Sequence, residues 1–477
     1  MNKSTLAPVK TQWSQFGTLI TVFFFWGFVA ASNGILIPLF KDKLQLTQTE
    51  AQLIDFAFYV AYFIGSIIYF AVGKFIGQDP LNKIGYKSGI VYGLIISAIG
   101  TLLFYPAAEF HSYPLLLSGL FIVGLGFSLQ QTSAQPFAIA LGDPATGSQR
   151  LNLGGGINNL GTTIGPVIIS FAIFGALSED AAKNATIDSV KVPYLILGAV
   201  FLLFALIFKM ANMPNVSNEE KMERGFAALK YPQLVLGMVA IFVYVGVEVS
   251  IGSNLGELLK VKFGMDASNN SHFISLFWAS MMIGRWAGAV AAFDPPKNLK
   301  TILTIIMPYV AFGIYILVNI LRGSDVSDLY VYGICIAIMI AAYFLSQDKP
   351  VKMLIIYSSL GCVAMLIGLF TSGFVSLFAF ISGGLFCSVM WPCIFSLAVA
   401  GLGKHTSQGS AFLIMMILGG AIIPLIQGKV ADIIGIKESY WIALICVVNI
   451  GWFAIKVKAI LQKQGIDFDA QVSSGGH

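Results

Sequence analysis

Charged side chains are scarce. Asp, Glu, Lys and Arg make up 11% of 477 residues, against about 25% in soluble globular chains. So few charges cannot cover the surface of a water-soluble protein of this length. Catalytic signatures are lacking too. The four histidines, His111, His272, His405 and His477, are scattered with no HExxH and no Cys/His ligand spacing. Gly403-Lys404-His405-Thr406 lacks both the upstream Gly and the Ser/Thr after Lys that a phosphate-binding loop needs. No nucleotide domain fits in the chain or its inner loops, so ATP-driven pumping would need a partner, and neither an enzyme nor a resident cofactor is expected. The five cysteines (Cys335, Cys362, Cys387, Cys393, Cys446) all lie in apolar stretches, which argues against a disulfide framework. A net charge of +5 with no basic stripe gives nucleic acid nothing to bind.

What the sequence has is apolar length. Hydrophobic residues reach 57% and mean hydropathy is +0.82. Crossing a bilayer takes about 20 mostly apolar residues. Such stretches lie near 16–37, 52–73, 87–106, 114–136, 152–174 and 192–210, then, after a polar segment, near 232–255, 271–293, 300–321, 329–346, 352–370, 374–400, 409–427 and 438–457. The first is too long for a signal peptide and runs past Ala30-Ala31-Ser32, so it reads as an uncleaved span. With the N-terminus in the cytoplasm, inner segments carry 18 Lys and Arg and outer segments nine. The positive-inside rule therefore puts both termini in the cytoplasm and favours an even number of spans, about fourteen.

A repeat is visible. Segment 63–75 (FIGSIIYFAVGKF) resembles 282–293 (MIGRWAGAVAAF), and 135–142 (QPFAIALG) resembles 391–403 (WPCIFSLAVAGLG). Parallel repeats about an axis normal to the membrane are a common carrier plan, with substrate held between the halves. Gly65 and Pro136 are 71 residues apart, whereas Gly284 and Pro392 are 108 apart. The surplus of 37 falls on spans 300–321 and 329–346, which read as a hairpin (about 297–350) inserted into a twelve-span plan. The expected division is an N-terminal six-helix bundle (1–210), a cytoplasmic linker (211–231), a C-terminal bundle (232–458) and a cytoplasmic tail (459–477). This is an all-α membrane protein, expected to be a monomer in a lipid bilayer.

Polar residues inside spans are costly unless they face the bundle interior. Asn33, Gln130, Gln131, Gln135, Asn158, Asn159 and, in the second half, Asn254 are candidates. Gln131 and Gln135 are four apart and share a helical face. Amides both donate and accept, which suits a ligand made of hydroxyls. Trp26, Trp278 and Trp391 offer flat apolar faces with a polar edge. Amides also glue helices together, so some of this set is expected to be structural. The glycines of LNLGGGINNLGTTIGP (151–166) read as helix packing. Asp55 lies near a span end, Glu248 deeper, and Arg285 toward an inner end where gating or structure is the expected role. Glu248 is the leading ion-coupling candidate, with Asp55 second.

FFFWGFVAASNGILIP (23–38), AFYVAYFIGS (57–66), QTSAQPF (131–137), RLNLGGGINNLG (150–161), YVGVEVSIGS (244–253) and MWPCIFSL (390–397) together resemble the fucose–galactose–glucose:proton symporter family of the major facilitator superfamily. The resemblance implies a twelve-helix alternating-access carrier for hexoses, deoxyhexoses or amino sugars in a bacterial inner membrane. It implies polar site residues at Asn33 and Asn158. Fucose-type members carry Asp directly after the Asn of span 1 and Glu in span 4; here those positions hold Gly34 and Gln131. Glucose/galactose-type members have a Glu in span 7, where this chain has Glu248. The expectation is a secondary active sugar importer coupled to H⁺ or Na⁺. A passive uniporter and a sugar sensor that does not transport are the alternatives.

Overall fold

The computed structural model describes residues 10–46, 48–174, 186–214, 226–265 and 267–466. Its spanning helices are α1 (Trp13–Lys43), α2 (Gln48–Ile76), α3 (Pro80–Leu102), α4 (Tyr113–Ala140), α5 (Gly147–Phe174), α6 (Lys191–Met210), α7 (Pro232–Phe263), α8 (Ala267–Ala289), α9 (Lys297–Leu321), α10 (Gly333–Ser346), α11 (Pro350–Phe370), α12 (Gly373–Cys387, resuming at Met390–Ala398), α13 (Thr406–Met415, resuming at Gly419–Ile434) and α14 (Trp441–Lys463). Among the described residues, thirteen helical segments are long and apolar enough to cross a membrane. The 28-residue α5 stands where the remaining expected span falls but is not one of those thirteen. The fourteen residues of α10 rise only about 21 Å. The 3₁₀ turn Ser327–Tyr332 before it adds about 12 Å, and together they cover a bilayer core.

Local chemistry sets the helix starts. Asp79 accepts from the backbone N–H groups of Leu81 and Asn82 at 2.9 and 3.1 Å, and Pro80 follows it. This is an N-cap with proline at the first helical position. Pro232 and Pro350 open α7 and α11 in the same way.

Packing repeats between the halves. In the first, α1 lies on α5, and α4 lies on α2 and α3, with α6 against α3. In the second, α7 lies on α13, and α12 lies on α8 and α11, with α14 against α11. Spans 2 and 4 thus recur as α8 and α12. The closest helix approaches repeat as well. A Cβ on Gly161 of α5 would lie 2.5 Å from the Phe24 carbonyl of α1, and one on Gly419 of α13 would lie 1.9 Å from the Phe242 carbonyl of α7. Only glycine lets the backbones come so near.

Among the described residues, helices α9 and α10 have no counterpart in the first half. They form a hairpin against α8, α11 and α12. Tyr315 of α9 donates to the His272 carbonyl, Tyr332 and Ser280 share a hydrogen bond of 2.8 Å, and Lys300 pairs with Asp348 at the other end. The insert is therefore a peripheral buttress of α8.

The halves meet mainly near the end that carries the described chain termini. There Ser410 Oγ donates to the Thr132 carbonyl at 3.0 Å, Ser66 Oγ to Ala411 at 3.1 Å, and Asn82 Nδ2 to Lys404 at 3.1 Å. Trp13 stacks on Phe293 with centroids 4.7 Å apart.

Candidate functional site

A cavity of about 1050 Å³, open mouth included, lies between the halves. Helices α1, α2, α4 and α5 form one wall; α7, α8, α12 and the α13 break form the other. The indole rings of Trp26, Trp278 and Trp391 all reach it.

The first-half wall is amide-rich and uncharged among the described residues. Gln131 Nε2 donates to the Tyr62 hydroxyl at 3.0 Å, and Asn158 Nδ2 donates to the Phe23 carbonyl at 3.0 Å. Each amide thereby spends an N–H on the protein. Gln135 Oε1 is buried without a hydrogen-bond partner. An unmet buried acceptor costs about 1–3 kcal/mol. This wall therefore offers carbonyl-type acceptors, matched to a ligand that donates from hydroxyls. Gln130 is different. It lies outside the lining, accepts from Trp26 Nε1 at 3.0 Å and donates to Ser97 Oγ at 2.9 Å. It holds α1, α3 and α4 together and fixes one tryptophan edge.

Charge sits on the second-half wall. Glu248 lies half-way along the 32 residues of α7, roughly 24 Å from its start. Tyr244 stands one turn earlier on the same helix face, and both side chains line the cavity. Arg285 of α8 approaches from the other side, with Nη2 on the Tyr244 hydroxyl at 3.3 Å. Its Nε donates to the Ser388 carbonyl at 2.9 Å. Its Nη1 crosses to the first half, meeting Asn159 Oδ1 at 2.7 Å and the Gly155 carbonyl at 3.3 Å. Arg285 thus ties Tyr244 of the second half to Asn159 of the first.

Gln131, Gln135, Asn158, Asn159, Trp391, Glu248 and Arg285 all line this one cavity. Asn254 does not; its Nδ2 donates to the Ser250 carbonyl of its own helix at 2.9 Å. Six residues at about 100° each turn it some 120° away from Glu248. Asn33 and Asp55 lie in α1 and α2, but their side chains fall outside the described residues. Sequence reasoning missed Tyr62 and Tyr244. The four-residue spacing of Tyr244 and Glu248 in YVGVE was the available signal for the second.

The Major Facilitator Superfamily profile matches residues 18–350. A glucose/galactose transporter of Brucella abortus is 36% identical over 443 residues, covering 92% of each chain. A putative glucose/galactose transporter of Helicobacter pylori is 35% identical over 92% of this chain and 96% of its own. The L-fucose-proton symporter of Escherichia coli is 29% identical, with 92% of each covered. Among solved structures, the major facilitator transporter FucP in its outward conformation superposes with a TM-score of 0.71 at 28% identity, over 93% of this chain and 98% of its own. Fourteen helices in two pseudo-repeated bundles around a shared polar cavity complete the comparison. The chain is a multi-pass membrane protein of the Major Facilitator Superfamily, in its fucose–galactose–glucose:proton symporter branch.

Proposed function

We propose that this protein imports a small sugar by alternating access, driven by a cation that binds at Glu248. The observation that carries the reading is the division of labour across the cavity. One wall presents amide acceptors at Gln131, Gln135 and Asn158, and the other presents a carboxylate. Sugar hydroxyls donate to both, and the indole faces of Trp26, Trp278 and Trp391 suit the C–H faces of a pyranose. The names of the Brucella and Helicobacter relatives make glucose and galactose the first sugars to try. We place the protein in a bacterial inner membrane as a monomer with cytoplasmic termini. Residues 1–210 and 232–458 then move as the two rocking bodies, joined by 211–231, with the hairpin near 297–350 riding on the second.

The test is uptake of a labelled sugar panel into vesicles bearing the protein, under a proton gradient, a sodium gradient or neither. Concentrative uptake of one hexose that collapses with protonophore, or with loss of sodium, supports the reading. No saturable hexose flux under any condition contradicts it. Gly34 and Gln131, standing where fucose-type members carry acids, favour one second reading: a passive uniporter, which would equilibrate sugar and never concentrate it.

A further inference from the structure

Below the cavity, toward the end that carries the described termini, one side of the seam between the halves is polar. Gln149, Asn152, Gly156 and Asn159 follow at intervals of three, four and three residues, so they share one face of α5. That face is turned to α8 of the opposite half. Arg285 Nη1 reaches Asn159 Oδ1 at 2.7 Å, and Trp286 Nε1 donates to the Gly156 carbonyl at 3.3 Å. Further along α8, a Cβ on Gly288 would lie 2.7 Å from Asn152 Nδ2. Donors on α8 therefore meet the upper part of the stripe, and the lower part is different. Asn152 Oδ1 and Gln149 Oε1 have no hydrogen-bond partner, at residues only 2% and 5% exposed. At the same end Phe293 stacks on Trp13 and closes the seam. The ten residues from Asn159 to Gln149 carry the stripe about 15 Å away from the cavity.

We infer that Asn152 and Gln149 form an exit subsite, a second sugar-binding site on the cytoplasmic side of the cavity, covered in this state and uncovered when the halves part there. The inference rests on the proposed import of a hexose. An unmet buried acceptor costs about 1–3 kcal/mol. An amide that only holds helices together finds a partner, as Gln130 does in Trp26 and Ser97. These two acceptors find none, and they lie on the face that continues from the sugar cavity. Arg150, beside Gln149 in sequence, commits its guanidinium to the Ala138, Ile139 and Asp143 carbonyls. It therefore ties the start of α5 to the end of α4, so the stripe stays with the first half when α8 withdraws. With that cation engaged, the stripe offers neutral acceptors, matched to a neutral ligand that brings its own O–H donors. A sugar leaving the central amides exchanges them for Asn152 and then Gln149 on its way out.

The test compares efflux with influx of labelled galactose or glucose, whichever the wild type carries, in right-side-out vesicles held without ion gradients. Asn152→Leu and Gln149→Met remove the acceptors at nearly constant volume. Each should raise the half-saturating internal concentration about ten-fold, as loss of one ligand hydrogen bond does, and leave the external value within about two-fold. The thermal midpoint of the solubilised protein should hold or rise, because each variant removes an unmet acceptor. Monodeoxy analogues of the same sugar separate direct contact from a shift in the resting state. For the analogue lacking the hydroxyl that meets Asn152, Asn152→Leu should change internal half-saturation by less than about two-fold. Internal and external values that rise together overturn the inference, as does an internal rise equal for every analogue. A lowered midpoint in both variants overturns it too, and so does wild-type behaviour or complete loss of transport in both. Absence of saturable hexose flux in the wild type itself removes the import reading, and the subsite with it.

Discussion

Three amides of α4 and α5 look alike in sequence and differ in what their bonds leave over. Gln131 and Asn158 each spend an N–H on the protein and turn toward the cavity. Gln130 spends both ends on Trp26 and Ser97. Substitution should separate them. Gln131→Ala and Asn158→Ala each remove one ligand partner, a loss of roughly 1–3 kcal/mol, and should raise the apparent KM for sugar about ten-fold with expression near normal. Gln130→Ala should instead lower the thermal midpoint of the detergent-solubilised protein and leave KM within about two-fold, because it orphans a buried indole N–H. Equal effects on KM from Gln130 and Gln131 would contradict this assignment. Candidate amides could be found in the sequence because polar residues in spans are rare. Which of them face a ligand could not, since that depends on partners such as Tyr62, 69 residues away. Asn254 shows the cost of choosing by residue type alone: its helical phase turns it from the site.

At the scale of elements, paired glycines and the inserted hairpin carry the account. Gly419 meets a carbonyl of α7, so Gly419→Ala forces two helices apart and should destabilise the protein by several degrees in a thermal scan. Gly313 of α9 has nothing within 4 Å of the position a Cβ would take. Gly313→Ala should be neutral or stabilising, since alanine is favoured in a helix by about 1 kcal/mol. A drop at Gly313 equal to that at Gly419 would show that the glycines act through flexibility rather than close approach. For the hairpin, a cysteine at Ser324 in an otherwise cysteine-free protein should react with an impermeant maleimide added outside intact cells. Reaction only after permeabilisation would reverse the proposed topology. The hairpin was legible as a surplus of 37 residues between repeats. Its packing was not, because a lipid-facing helix and a bundle-facing one have similar composition when both are apolar. The contacts of Tyr315 and Tyr332 on α8 had to come from the fold.

For the whole molecule, most of the architecture was readable: the approximate span number and the parallel repeat follow from hydropathy and from two pairs of similar segments, and a cavity lies between the halves as that plan expects. What sequence could not supply was the state of the carrier. Contacts such as Ser410 to Thr132 and Trp13 on Phe293 close the end near the described termini, and pairs of this kind must part when the halves rock. The Arg285 contacts to Asn159 and Gly155 join the halves in the same state. The central claim is that Glu248 couples sugar movement to an ion. Glu248→Gln, which mimics the protonated acid, reconstituted beside wild type, tests it most directly. The account predicts that wild type concentrates galactose or glucose under an inward proton or sodium gradient, while Glu248→Gln only equilibrates it and still exchanges sugar between loaded compartments. Concentrative uptake that survives in Glu248→Gln and still collapses when the gradient is dissipated would contradict the claim.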